Sequence, residues 1–318
     1  MELDILQKAK EIKIEEIFSY DEGSLIKYYE SLDLFFNGTC INCTIKMSQY
    51  TDGSKAYTEQ KFYCLNCRFV GNMRYNTLFF NMKLSFKAFN ALLYYFSQSF
   101  NDKEIECILR PFENLSVSYC TIREYTKLFR EICHLYVQNI LQDIQLPGPV
   151  EVDEACIYKL KKGRKGRKGR LAKIIYWVFG LKCRTTGKVI IYPVLYRRRA
   201  ILISIIRKHV KPGSLILSDR FSAYWNNRTT PPTSYLVPYG YIHLGINHSI
   251  HFVSSINNQI HTNTIERVWR ALKGKFRNFK PKKQIHQIIS QFILESWISK
   301  EDRYYFMLYL LYEYNNAI

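Results

Sequence analysis

The chain has 318 residues, 47% of them apolar and 15% aromatic, which suffices for two cored domains at roughly 100 to 200 residues each. Lys and Arg total 46 against 27 Asp and Glu, a formal net charge of +19 that calls for an acidic partner, nucleic acid before a membrane surface. The sequence has no run of about 18 uninterrupted apolar residues and a start, MELDILQKAKEIKIEE, that is charged throughout, so neither a spanning helix nor a secretory signal is expected. The expected location is intracellular: nuclear in a eukaryotic host, cytoplasmic in a prokaryotic one.

Residues 1–37 carry periodic apolar positions on either side of Asp21-Glu-Gly-Ser24, read as two short helices around a turn. Residues 38–82 follow as a zinc ribbon. Cys40-Ile-Asn-Cys43 and Cys64-Leu-Asn-Cys67 are two CxxC knuckles about twenty residues apart, with a turn at Thr51–Ser54 and a strand over Ala56–Tyr63 between them. Four thiolates close tetrahedrally on one Zn²⁺ and leave no open position, so the zinc is structural. The other five of the nine cysteines (107, 120, 133, 156 and 183) are scattered and odd in number, which suits free thiols in a reducing compartment. Lys46, Lys61, Arg68 and Arg74 lie within reach of phosphate around this ribbon.

Residues 83–145 are helical in pattern. Asp102 is read as the cap of a short middle helix and Ser116 as the cap of a longer third one, with a break at Pro111–Asn114 between them. A short helix, a turn and a long helix carrying Thr121 and Arg123 near its start resemble a helix-turn-helix that would present its first turn to DNA bases. A plain helical bundle explains the same spacing.

Gln145-Leu-Pro-Gly-Pro149 is the clearest boundary, and residues 146–318 form the second domain. Its first strand, PVEVDEACIY, carries Asp153. A basic stretch from Lys159 to Lys173 follows, including Lys161, Lys162, Arg164, Lys165, Arg167, Lys168 and Arg170, spaced by glycines. Such a run is ordinarily a solvated face or a targeting signal. As a hairpin tip beside Asp153 it is read here as a contact to the DNA backbone. Two strands joined at Thr185–Gly187 come next, then a helix over Ala200–Val210 and a fourth strand, Leu215–Leu217, ending at Asp219; a fifth strand is expected near Tyr241–Leu244. Three strands, a helix and a strand make an RNase H-like ordering, in which the first strand is central and the fourth lies beside it, uniting Asp153 with Asp219. His243, His248, His251 and His261 match no zinc spacing and are read as hydrogen-bonding or phosphate-contacting groups. In HTNTIERVWRALK, Ile265, Trp269, Leu272 and Phe276 form one packed helical face while Glu266, Arg270 and Lys273 share a neighbouring one. Alone, Glu266 and Arg270 would be an ordinary i,i+4 pair. With Asp153 and Asp219, Glu266 completes the carboxylate set of a two-metal phosphoryl-transfer site. Two more amphipathic helices, Gln284–Trp297 and Asp302–Tyr314, close the domain.

These blocks together resemble the Merlin-type and ISXO-like DDE transposases: the CxxC ribbon, the helical region, VEVDE, the basic Gly-rich stretch, GSLILSDRFSAY, GYIHLGINHSIHFV and HTNTIERVWRALK. The resemblance runs from about residue 38 to 312, with residues 226–238 looser than the pattern. It implies an α+β multidomain chain whose RNase H-like core uses Asp153, Asp219 and Glu266, with Lys273 as the basic residue seven positions beyond the third acid. Converging carboxylates repel, and two Mg²⁺ (or Mn²⁺) ions held about 3.5 to 4 Å apart would relieve this and serve an in-line displacement at a phosphodiester. The adjacent Glu154 falls on the opposite face of its strand. The implied partners are double-stranded DNA, as transposon ends and target, with Arg270 added to the DNA contacts, and further copies of the chain in a synaptic complex. A non-catalytic DNA-binding protein and a metal-dependent nuclease without strand transfer remain the other readings.

Overall fold

A computed structural model describes residues 2–50, 61–162, 172–246, 261–276 and 284–317. The chain forms two compact units, Met1–Ile132 with Ile298–Ile318, and Cys133–Trp297.

The first unit opens with three helices where two were expected: α1 (Glu2–Ala9), α2 (Ile14–Ser19) and α3 (Glu22–Ser31). The difference lies at Lys10–Lys13, where a break divides the segment before the expected turn into α1 and α2; at that turn Asp21 caps α3 by accepting the Ser24 N–H at 2.7 Å, so the turn is a helix start. Strands β1 (Ser48–Tyr50), β2 (Lys61–Tyr63) and β3 (Val70–Asn72) form an antiparallel ribbon in that order. The expected turn at Thr51–Ser54 and the start of the strand at Ala56 lie outside the described residues. Helix α4 (Phe86–Ser97) is capped by Ser85, and α5 (Asp102–Leu109) by Asn101 in a reciprocal box with Glu104. Asp102, one residue inside the helix, instead meets Arg130 at 3.0 Å and Thr126 at 3.0 Å on α6 (Tyr119–Ile140). Ser118, not Ser116, caps α6 through the Thr121 N–H at 3.2 Å. The connection from Arg110 to Ser118 contains a 3₁₀ turn and exceeds the three or four residues of a helix-turn-helix, so α5 and α6 pack as a bundle pair. The core is aromatic: Tyr29, Phe79, Phe86 and Phe89 are fully buried around Asn90, whose amide oxygen accepts the hydroxyls of Tyr29 and Tyr304. Tyr304 belongs to the C-terminal helix, Arg303–Ala317, which therefore packs in the first unit, not with the domain its place in the chain suggested.

The division between the units falls inside α6, not at Gln145–Pro149. Past that point Cys133 and Val137 are buried in the second unit and His134 meets Ser290 Oγ at 2.9 Å. Leu146 is pinned by backbone bonds with His209 and Lys211. The elements that follow are β4 (Val150–Lys162), β5 (Ala172–Cys183), β6 (Val189–Val194), α7 (Arg199–His209), β7 (Leu215–Asp219), β8 (Trp225–Asn226), β9 (Thr233–Ser234), β10 (Ile242–Ile246), α8 (Asn263–Phe276) and α9 (Ile285–Trp297). Strands β8 and β9 form a small hairpin, and the main sheet runs β10-β7-β4-β5-β6. As the order of elements implied, the first strand, β4, is central and the fourth, β7, lies parallel beside it. Strand β5 is antiparallel to β4 as far as Lys162 and Ala172, so the basic segment does lie in the connection of a hairpin. Helices cover both faces. On one, α8 packs across β4 and β5; on the other, His209 of α7 bonds the Tyr192 hydroxyl at 2.8 Å.

Candidate active site and metal centre

Strand alternation puts Glu151 and Asp153 on the same face of β4, the one under α8. Glu151 is fully buried, and its carboxylate is satisfied from three sides: one oxygen accepts the N–H groups of Thr264 (3.1 Å) and Ile265 (2.9 Å), the other the Arg184 Nε–H at 2.6 Å. The first two donors are orphan amides of the α8 N-terminus, so Glu151 caps that helix from another element, where a negative charge also suits the helix dipole. Arg184 extends the clamp by donating to the His261 carbonyl at 2.7 Å. Two residues along, Asp153 accepts the Trp269 indole N–H at 2.8 Å. Trp269 reaches it by lying over Gly180, the cross-strand partner of Asp153, where any Cβ would fall on the indole ring. Glu151 thus fixes the start of α8 and Asp153 its next turn, and Glu266 sits between the two anchors.

Asp219 ends β7. The register pairing Glu151 with Leu217 puts Asp153 level with Asp219 on the adjacent parallel strand. The Asp219 carboxylate accepts the Phe221 N–H at 3.0 Å, an Asx-type turn that holds the strand end. Burial, with smaller contributions from the charges of Asp219 and Glu266, pushes the Asp153 carboxyl up to about 6 in spite of the Trp269 hydrogen bond that lowers it. All three acids of the expected triad therefore share one electrostatic neighbourhood. They are not gathered as tightly as a closed metal site: among the described residues the four cysteines form the group of metal-capable side chains within 4.8 Å of one another. Glu266 is exposed, and among the described residues it forms no ion pair, so the alternative i,i+4 pair with Arg270 is not made.

Glu154 lies on the opposite face, as alternation required, bonded by the Tyr224 hydroxyl and 3.8 Å from Arg197. Burial raises its carboxyl to about 7, with Asp153 and Asp219 adding to the rise. Of the four histidines, His243 is buried between Ser218 Oγ (2.9 Å) and Ser234 Oγ (2.7 Å) and stacked on Trp225, a hydrogen-bonding role; burial lowers it to about 4. His261 is held by Arg184, while His248 and His251 lie outside the described residues. Lys273 and Arg270 are exposed on α8, and Arg123 is exposed on α6 with its guanidinium 5.9 Å from the Tyr119 ring. Lys161 and Lys162 end β4; Arg164, Lys165, Arg167, Lys168 and Arg170 lie outside the described residues.

Cys40, Cys43, Cys64 and Cys67 are all free thiols with sulfur contacts of 3.3 Å (Cys40 to Cys67), 3.4 Å (Cys43 to Cys64) and 3.8 Å (Cys43 to Cys67). Four sulfurs about 2.3 Å from one zinc would stand about 3.8 Å apart, so the cluster is compatible with a structural zinc. The two knuckles are built alike. Thr44 N–H returns to the Cys40 carbonyl at 2.8 Å and Arg68 N–H to the Cys64 carbonyl at 2.9 Å, each from a left-handed residue (φ 58° and 61°). Arg74 of this region donates to the Met82 carbonyl at 3.1 Å and lies over the Phe86 ring.

Residues 145–286 match the ISXO2-like transposase domain. The match covers Asp153, Asp219 and Glu266, and it supports a transposase of the DDE family; it bears on the ISXO-like side of the resemblance, not on the Merlin-type one. A DDE transposase domain implies DNA as partner and divalent metal as cofactor. No curated protein matches the chain. Among the described residues no helix is long and apolar enough to cross a membrane.

Glu151, Arg184, Gly180 and Trp269 were not singled out from the sequence as site residues. Two of them had a signal: Glu151 lies two positions before Asp153 and so on its face, and a glycine inside a strand marks a close approach by another group. Arg184 and Trp269 are partnered only by the tertiary fold.

Proposed function

We propose that the chain is a DNA transposase that binds the terminal inverted repeats of its element and carries out cleavage and strand transfer in an RNase H-like core. The observation that carries the reading is the electrostatic convergence at Asp153: two aspartates level on adjacent parallel strands, with Glu266 on a helix clamped above them by Glu151 and by Trp269.

The donor set fits hard divalent cations. It consists of carboxylate oxygens alone, and the Asp153 carboxyl is raised chiefly by burial, with the charges of Asp219 and Glu266 adding to the rise, so a cation bound there would offset both. Asp153, Asp219 and Glu266 would hold Mg²⁺ or Mn²⁺, Asp153 in common, and these ions when bound would supply Lewis-acid activation of the attacking oxygen and stabilisation of the leaving one. What the protein contributes is placement. Glu151 sets the height of α8 over β4, Trp269 holds the Asp153 carboxylate by a hydrogen bond, and exposed Glu266 would complete the set. Lys273 and Arg270, exposed on α8, and the basic β4–β5 connection from Lys161 to Arg170 would meet the phosphate backbone. The ribbon, with zinc on its four cysteines, and α6 with Arg123 would bind terminal DNA, and copies of the chain would pair two transposon ends. Such an enzyme would act in the nucleus of a eukaryotic host or the cytoplasm of a prokaryotic one.

The test uses the purified full chain with Mg²⁺ or Mn²⁺ and labelled DNA carrying the inverted repeats that flank its gene. Cleavage with joining supports the transposase, cleavage alone gives a nuclease, and binding alone gives a DNA-binding protein.

A further inference from the structure

The turn from β6 into α7 reads Tyr196-Arg-Arg-Arg199, and Arg198 is the N-cap of α7. Cations belong at helix C-termini; here three arginines gather at the positive end, where they oppose the helix dipole and repel one another. The cap makes no side-chain hydrogen bond and the first turn holds no acid. The amides of Arg199 and Ala200 thus face outward without an acceptor from the helix. The arrangement is unfavourable for α7 by itself and favourable only with an anion present.

The surroundings are shaped for one. Arg197, Arg198, Arg199 and Arg207 line a cavity of about 640 Å³ whose lining contains no carboxylate. Each guanidinium lies over an aromatic ring: Arg199 is 3.3 Å from the Tyr235 centroid, Arg207 4.6 Å from Tyr239, Arg198 4.7 Å from Tyr196 and Arg197 3.8 Å from Trp177. Stacking occupies the faces of these groups and leaves their N–H edges for in-plane acceptors, the geometry that suits phosphate oxygens. Among the described residues Arg198, Arg199 and Arg207 form no ion pair, which sets them apart from Arg197 with Glu154 at 3.8 Å. The cavity also adjoins the carboxylates. Phe221 is in its wall, beneath Arg197, and donates its N–H to Asp219.

We infer that this arginine-lined cavity is a second DNA site, seating consecutive phosphates of a strand that runs past the α7 N-terminus to Asp219. The assignment rests on the proposed function, since DNA is the polyanion that a transposase core holds. It differs from the cations of α8 in position and in chemistry, being aromatic-backed and made of arginine alone.

The experiment is a salt titration with the full chain, using fluorescence anisotropy of a labelled random-sequence DNA duplex of about 30 base pairs between about 50 and 200 mM salt. In Arg198→Gln/Arg199→Gln/Arg207→Gln the log-log slope should fall by about 2 to 3, close to 0.9 per lost phosphate contact. Lys208→Gln, a cation on the same helix outside the cavity, should leave the slope unchanged. Circular dichroism verifies folding, and if the triple variant does not fold, Arg198→Gln alone should lower the slope by about one. Wild-type binding with slopes unchanged in these arginine variants overturns the cavity assignment and leaves the transposase reading standing. A wild-type chain that binds no duplex overturns both.

Discussion

Asp153→Asn separates function from stability, because the two effects run in opposite directions. The Asp153 carboxyl is raised from 3.8 to about 6, chiefly by burial, so the folded chain holds a proton there over a pH range in which the unfolded chain has lost it. The stabilisation this gives is fully present below about pH 4 and is lost as pH rises through about 6; above that the folded state carries an uncompensated buried charge costing about 3 kcal/mol. Asparagine keeps the shape and an oxygen for the Trp269 N–H but cannot ionise. Without divalent metal, Asp153→Asn should therefore melt higher than wild type at pH 8, by about 5 to 10 °C for a cooperative unit of this size, and equal to it at pH 4. Calorimetry at the two pH values measures this. Added Mg²⁺ should raise the melting temperature of wild type and not of the variant, since only a bound ligand of the folded state stabilises it. Cleavage of terminal-repeat DNA should be lost. A variant no more stable than wild type at pH 8, or equally shifted at both pH values, would show that no charge strain resides at Asp153 and remove the electrostatic basis of the site.

Glu151→Gln should destabilise the fold by about 3 kcal/mol, seen as a shifted urea midpoint, because it removes the buried carboxylate that half-buried Arg184 and the α8 amides share; an unchanged midpoint refutes the clamp. Gly180→Ala drives Trp269 off the sheet, so indole fluorescence should shift to the red and cleavage should fall at least tenfold while DNA affinity holds. The opposite pattern, lost affinity with normal fluorescence, would place Gly180 outside the site. Cys64→Ser should lose stoichiometric zinc and specific DNA binding while the second unit stays folded; one zinc per chain in a Cys43→Ser/Cys64→Ser variant would disprove the ligand set. Neutralising the cations of Lys159–Lys173 should lower the salt slope of binding by about 3 to 4, and an unchanged slope would make the run a solvated face.

What the sequence alone determined is what local rules govern. Two CxxC pairs bring four sulfurs together because each knuckle is a short-range turn, and the order of strands and helix prescribed β4 at the centre with β7 beside it because parallel neighbours need a crossover. The period of two assigned Glu154 to the opposite face, and the helical period found the buried row Ile265, Trp269, Leu272 and Phe276. Caps were legible only to within a residue or two, since Asn101 and Asp102, or Ser116 and Ser118, are chemically equivalent candidates until the chain's path selects one. The tertiary structure alone decided the rest. It places the Arg303–Ala317 helix in the first unit, since an amphipathic face does not say which core will cover it. It joins Glu151 to the amides of Thr264 and Ile265, a cap supplied from more than a hundred residues away, where sequence rules look only to the nearest neighbours. It also gathers Tyr235 and Tyr239 behind Arg199 and Arg207, turning what reads in sequence as scattered surface cations into a cavity of one charge.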